Sequence, residues 1–177
     1  MDDDWTETLA HVARAVGCTV DLVDGPARAL HVTCPTLQAK TDLLHACAEV
    51  SSCDPYVQAF AMALRERWHA DAEFVEGLLS WIQTNVTWRD EPGDRFTHAA
   101  TTLRALSGDC DDTTIVFVAV CLAAGIEAEA RACTDETGDG VHAAPAAKLA
   151  GEWLWCETTV RAAVGDHPRD VQARLGR

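Results

Sequence analysis

Gly108-Asp109-Cys110-Asp111-Asp112, with the apolar run Ile115 to Ala124 behind it and Gly125 to close it, is the stretch on which the fold turns. Sixteen residues stand between the two glycines, enough for four helical turns. The run carries no polar stripe, and a helix that is apolar all round is a buried one. Beyond it, Ile126 to Cys133, Val141 to Leu149 and Trp153 to Glu157 read as strands, separated by turns at Thr134–Gly140 and Ala150-Gly151. The spacing predicts an antiparallel meander packed on the buried helix.

Upstream the pattern is helical. Leu9, Val12, Ala13 and Val16 recur at helical spacing after Asp4-Trp5-Thr6-Glu7 and stop at Gly17. A short hairpin follows, Cys18 to Val23 and Arg28 to Thr33 around Asp24-Gly25-Pro26-Ala27. Three further helical stretches begin near Thr36, Asp54-Pro55 and Asp71, the second with an N-cap and a proline preformed for the first turn. Arg89 to Phe96 is polar and holds a Pro-Gly pair, so it reads as a surface loop, and Ala99 to Leu106 as a short helix. Helices first, then one buried helix, then a small antiparallel sheet make an α+β fold. No repeat, low-complexity segment or linker divides the chain.

The 177 residues suffice for one core, and 14 basic against 28 acidic residues leave a formal charge of −14. That balance repels a phosphate backbone, so nucleic acid is not expected as a partner. The N-terminus shows neither a basic n-region nor an apolar h-region, and the longest apolar run is half of what a bilayer needs. A cytoplasmic protein without membrane partners is the expectation. In such a compartment the eight cysteines read as thiols, most of them small buried hydrophobes. None of them stands at zinc-knuckle spacing.

Cys110 differs from the other seven because it opens a helix. Unpaired N–H groups and the helix dipole stabilise a thiolate there, and such sites bring a cysteine pKa from about 8.5 to roughly 3.5–7.5. Asp111 and Asp112 act the other way on the thiolate while suiting the first helical turn. They read as capping residues, with a divalent-metal cluster of Asp109, Asp111 and Asp112 as the alternative. A nucleophilic cysteine needs a base, and the base an orienting acceptor. His142 and Glu157 lie where two neighbouring strands could present both at one rim of the sheet. By spacing alone, each is equally an ordinary surface residue.

The same elements in the same order resemble the transglutaminase-like superfamily of papain-type thiol enzymes. The likeness rests on Gly108-Asp109-Cys110-Asp111-Asp112, the helix ending Ala123-Ala124-Gly125-Ile126, His142, and Trp153-Leu154-Trp155-Cys156-Glu157-Thr158-Thr159. Trp81 to Trp88 and Thr102-Leu103 extend it upstream, so that it covers roughly residues 42 to 164. It implies a Cys110 nucleophile, a His142 base and a Glu157 acid, with Trp88 and Asp109 beside the oxyanion and substrate cleft. Three departures stand out: Glu157 where the family has Asp, Pro145 inside the strand after His142, and Trp88 where a Tyr is common.

The implied activity is acyl transfer from a peptide or protein amide through a thioester on Cys110. Water as acceptor makes a peptidase or amidase, and an amine makes a transglutaminase. No metal or organic cofactor is implied, and no residue pattern specifies an oligomeric state. The alternative is an inactive binding or scaffold domain of the same fold. On this reading residues 1–40 are an N-terminal helix and hairpin extension, and 41–177 the catalytic domain, the two forming one structural unit.

Overall fold

The computed structural model describes residues 4–23, 29–90, 93–134 and 141–175; the turn expected at 24–27, nearly all of that at 134–140, and Pro92 lie outside them. In chain order these residues form α1 (Asp4–Val16), β1 (Thr19–Leu22), β2 (Ala29–Thr33), α2 (Leu37–Ser52), α3 (Pro55–Arg67), α4 (Asp71–Asn85), β3 (Thr87–Trp88) and β4 (Asp94–Thr97). There follow α5 (Ala99–Ala105), β5 (Ser107–Gly108), α6 (Cys110–Ala123), β6 (Ala128–Thr134), β7 (Val141–Leu149), β8 (Glu152–Trp155) and α7 (Pro168–Leu175).

The helix α6 is the axis. Every residue from Ile115 to Cys121 is inaccessible to solvent, because α2, α3, α4 and α5 surround it on one side and the β6-β7-β8 sheet lies on the other. Gly125 closes it at φ +78, a left-handed conformation that suits glycine, and Arg65 of α3 donates to the Ala124 carbonyl at 3.1 Å. The start of α2 is capped by Thr36, whose Oγ1 accepts from Ala39 N–H. That of α3 is capped by Asp54, with Pro55 in its first turn.

The three last strands form the expected antiparallel meander, in the order β6-β7-β8. Its hydrogen-bond phase explains why Pro145 is tolerated. Lys148 N–H donates to the Glu127 carbonyl, and Cys156 N–H to that of Pro145, so even-numbered residues of β7 bond toward β6 and odd-numbered ones toward β8. The missing N–H of Pro145 therefore falls on the β8 side. The ladder to β6, in which His142 opposes Cys133, keeps its donors.

Four expectations are corrected. The polar stretch Arg89 to Phe96 is not all loop: Asp94–Thr97 is strand β4, paired with β2, because alternation puts Phe96 into the core. Cys18 and Cys34 are bonded to each other, so the eight cysteines are not all thiols; they flank the β1-β2 hairpin, whose pairing brings their Cα atoms to 4.3 Å. The last strand ends at Trp155, two residues before Glu157, where the chain bends toward α6 and Thr158 Oγ1 meets Thr113 Oγ1 at 2.9 Å. Helix α7 follows where no element was expected; Val171 is buried, and Arg169 bonds the Thr134 carbonyl at 2.9 Å.

Described residues from before position 41 contribute to the same buried cluster as those after it. Leu9 of α1, Leu30 and Val32 of β2, and Phe117 of α6 belong to one buried cluster.

Candidate active site

Cys110 is the first residue of α6, and the local sequence dictates how that helix starts. Asp109 is its N-cap: Oδ1 accepts from Asp111 N–H at 2.9 Å and from Asp112 N–H at 3.2 Å, while its carbonyl takes Thr113 N–H. Of the first-turn donors, this leaves the Cys110 N–H without a partner among the described residues. Gly108 is required by close approach, since a Cβ there would lie 2.6 Å from Asp112 Cβ. Asp112 cannot retreat easily, being buried with Oδ1 bonded to Thr97 N–H at 2.9 Å.

On the facing sheet His142 Nε2 lies 2.7 Å from Glu157 Oε2. Glu157 is fully buried, and its other oxygen accepts from both the N–H and the Oγ1 of Thr159, at 2.8 and 2.7 Å. Burial alone would raise its pKa; the bonds from His142 and Thr159 outweigh that and hold it below the usual glutamate value. A carboxylate only accepts, so in the neutral ring the shared proton sits on Nε2 and Nδ1 carries the lone pair. Gln83 of α4 secures the segment, donating to the carbonyls of Glu157 and Ala162 at 2.8 and 3.1 Å.

Cys110 meets this pair through the backbone. Ala143 N–H points to the β8 side, where β8 has already ended, and it favours the Cys110 thiolate, while the thiol itself is directed to Asp111 Oδ1 at 3.9 Å. The thiol thus lies near the residue that follows His142. Its electrostatic setting runs against the expectation of a lowered pKa. Burial first, then the charges of Asp111 and Asp109, push the thiol well above the ordinary cysteine value, opposed by the Ala143 N–H and by Lys40.

Lys40 went unnoticed in the sequence. It is 5% exposed on α2, with Nζ 3.0 Å from Asp111 Oδ2 and 2.8 Å from Asp94 Oδ1. Burial disfavours its charge, yet the two carboxylates outweigh that and raise its pKa, so it is a cation. Asp111 is pushed up to about 7, by burial first and by Asp109 and Asp94 after it, against the pull of Lys40. The available signal was position: Lys40 stands on the buried stripe with Leu43, Leu44 and Cys47, the one charged residue among them. Asp109, Cys110 and Asp111 also bring three potential ligand atoms within 4.8 Å. Lys40 already supplies positive charge there, and Asp109 already caps the helix, so this donor set has its own cations and donors.

Trp88 and Asp109 are placed as follows. Strand β3 pairs with β5, Trp88 opposite Gly108, which brings its backbone within two residues of Cys110. Its indole is 48% exposed and donates to Asp90 Oδ1 at 2.7 Å, turned to that carboxylate. The carboxylate of Asp109 is engaged with the helix start.

A family model described as the transglutaminase-like superfamily matches residues 58–158, from inside α3 to the residue after Glu157. The chain belongs to that superfamily. Solved structures agree on the fold. A "putative cysteine protease" from Cytophaga hutchinsonii is 20% identical with a TM-score of 0.50, over 60% of this chain and 39% of that one. A "putative protease" from Parabacteroides distasonis is 17% identical with a TM-score of 0.55, over 73% of this chain and 28% of that one. The chain therefore spans well under half the length of either relative, and at such identities the likeness speaks for the transglutaminase-like fold alone. No curated protein matches the chain. Among the described residues no helix is long and apolar enough to cross a membrane.

Proposed function

We propose that this transglutaminase-like protein is a cysteine-dependent enzyme acting on peptide or protein amides, with Cys110 as nucleophile, His142 as base and then acid, and Glu157 orienting the imidazole. The observation that carries the reading is the 2.7 Å bond from His142 Nε2 to a buried, charged Glu157, because it leaves Nδ1 as the basic nitrogen on the ring. In the first step the thiol proton passes to His142 Nδ1 as Sγ bonds the amide carbon. The C–N bond then breaks, the amine leaves with that proton, and a thioester remains on Cys110. Water attacks the thioester with His142 again taking a proton, and the carboxylic acid is released; an amine acceptor would give a new amide instead. We favour water, on the strength of the two solved relatives whose names say protease. The Cys110 N–H is suited to hold the oxyanion of the tetrahedral intermediate. No step in this scheme calls for a cofactor.

Because burial and two carboxylates raise the thiol, the sulfur stays protonated until His142 takes its proton in the attack itself. The same raised thiol is the observation that favours the second reading, an inactive binding domain. Brief alkylation with limiting iodoacetamide between about pH 5 and 9, with the label located by peptide mass spectrometry, separates them. Cys53 is exposed and serves as the internal reference. With its thiol raised, Cys110 is labelled only as fast as His142 can take its proton, so the enzyme reading expects its labelling to fall at least about tenfold in His142→Ala while that of Cys53 is unchanged. A Cys110 labelled at the same rate with and without His142 in the folded protein returns the domain to a binding role.

A further inference from the structure

Between α2 and β6 runs an open groove of about 560 Å³, lined on one wall by Gln38, Thr41, Asp42 and His45 and on the other by four consecutive strand residues, Glu129 to Ala132, with Trp155 beyond. That volume lies within the range of ligand sites, ~300–1,000 Å³. Strand β6 is an edge of its sheet, and the ladder phase decides which of its groups face outward. Glu129, Arg131 and Cys133 spend their backbone groups on β7, so Ala130 and Ala132 direct theirs away from it, toward the groove. Further along, the outward carbonyl of Thr134 is taken by Arg169 Nε at 2.9 Å. Among the described residues nothing bonds the backbone N–H and C=O that Ala130 and Ala132 turn outward.

Ala130 is buried, so the edge lies open at Ala132, and an open edge bordering a groove pairs with another strand. The charge of the lining selects its kind. Glu129 closes on Arg131 at 2.6 Å, and Arg131 lies over the Trp155 ring at 4.9 Å, so both are internally satisfied. Among the described residues Asp42 has only the amide of Gln38 as partner, at 2.7 Å. One carboxylate is left uncompensated in a chain of formal charge −14, which favours a basic guest. The groove also leads to the proposed centre: Cys133, the next residue of β6, opposes His142, and Lys40, between Gln38 and Thr41 on α2, holds Asp111.

We propose that the β6 edge binds an extended peptide carrying a lysine or arginine, whose main chain bonds Ala132 and whose basic side chain faces Asp42. The inference rests on the reading of Cys110 as a centre acting on peptides and names the conformation and charge of what it takes. Binding, unlike catalysis, is measurable without the nucleophile. The test therefore uses Cys110→Ala protein and fluorescence anisotropy of a labelled octapeptide alternating alanine and lysine.

The expected result is saturable binding, weakened about tenfold or more by Ala132→Pro, which removes an outward N–H and no ladder bond. Methylation of alternate peptide nitrogens should weaken binding to the unaltered groove in one phase only, a readout that does not depend on how the proline variant folds. Asp42→Lys should reduce binding of this peptide and spare an alanine-glutamate one. No binding up to about 1 mM, or binding indifferent to both the proline and peptide methylation, overturns the proposal. A failed alkylation test beside intact peptide binding would sink the enzyme reading and leave this one standing.

Discussion

Lys40 Nζ stands 3.0 Å from Asp111 Oδ2, so the carboxylate that follows Cys110 is neutralised from a different helix. Both residues are buried, and Asp94 completes the pair into a triad at the surface side. The arrangement governs how much negative charge faces the thiol.

Lys40→Met should therefore leave Asp111 as a buried, unpaired charge, costing about 3–5 kcal/mol of stability near pH 8.5. The carboxyl of Asp111, already raised to about 7 with Lys40 present, rises further without it. A group whose folded pKa is raised favours the folded state below its unfolded pKa and loses that advantage as pH climbs through the folded value. The penalty of the substitution should accordingly shrink toward pH 5, where Asp111 is protonated. Urea midpoints at the two pH values measure it; equal penalties would contradict the coupling.

Glu157→Gln removes the charge and replaces a group that only accepts by an amide that can also donate, so His142 loses its defined tautomer. Turnover, once a substrate is in hand, should fall roughly 10²–10⁴-fold with little change in KM. Stability offers an independent readout. The folded pKa of Glu157 lies below its unfolded value, so its contribution is present above that unfolded value and is lost as pH falls through the folded one. The variant should show a flatter acid limb in unfolding titrations below about pH 4.5.

Gly108→Ala would set a Cβ 2.6 Å from that of Asp112, whose carboxylate is fixed to Thr97 N–H. The expected cost is about 1–3 kcal/mol, with Cys110 displaced at the same time. A drop in Tm joined to slower Cys110 alkylation is the signature. Unchanged values for both would mean the helix start can shift without strain.

Cys34→Ser breaks the bond to Cys18 that closes the hairpin, the two lying 16 positions apart in the sequence. A loop of that size predicts a loss of about 3 kcal/mol. Because β2 pairs with β4, and β4 supplies Asp94 to Lys40, the loosening should reach α2 and be visible as faster amide exchange in Ala29–Thr33 and Asp94–Thr97. Exchange confined to the hairpin would show that β4 stands without it.

Local rules carry the reading of α6 a long way. Gly108, Gly125 and an unbroken apolar run specify a buried helix whatever surrounds it, and a chain of helices followed by three short strands admits few architectures. The Gly-Asp-Cys turn is legible for the same reason, since helix starts are punctuated by short-range chemistry, whereas His142 and Glu157 stand out only through the resemblance to a family, their spacing being that of ordinary surface residues. The strand Asp94–Thr97 escaped because its polar residues pair with β2, a partner far away in sequence, and propensity does not see partners. The Cys18–Cys34 bond escaped in the same way, since only hairpin register brings the two thiols together.

What the amino-acid order determined on its own was the class of fold and the helix start that sets Cys110 apart, because helical periodicity, capping and turn formation act over a few residues. The tertiary structure alone decided their electrostatics. Whether Pro145 breaks the strand holding His142 depended on ladder phase, and whether the Cys110 thiol is raised or lowered depended on burial and on a lysine brought in from α2. Charge interactions and solvent exclusion act through space, so they come into being only when the chain has closed on itself.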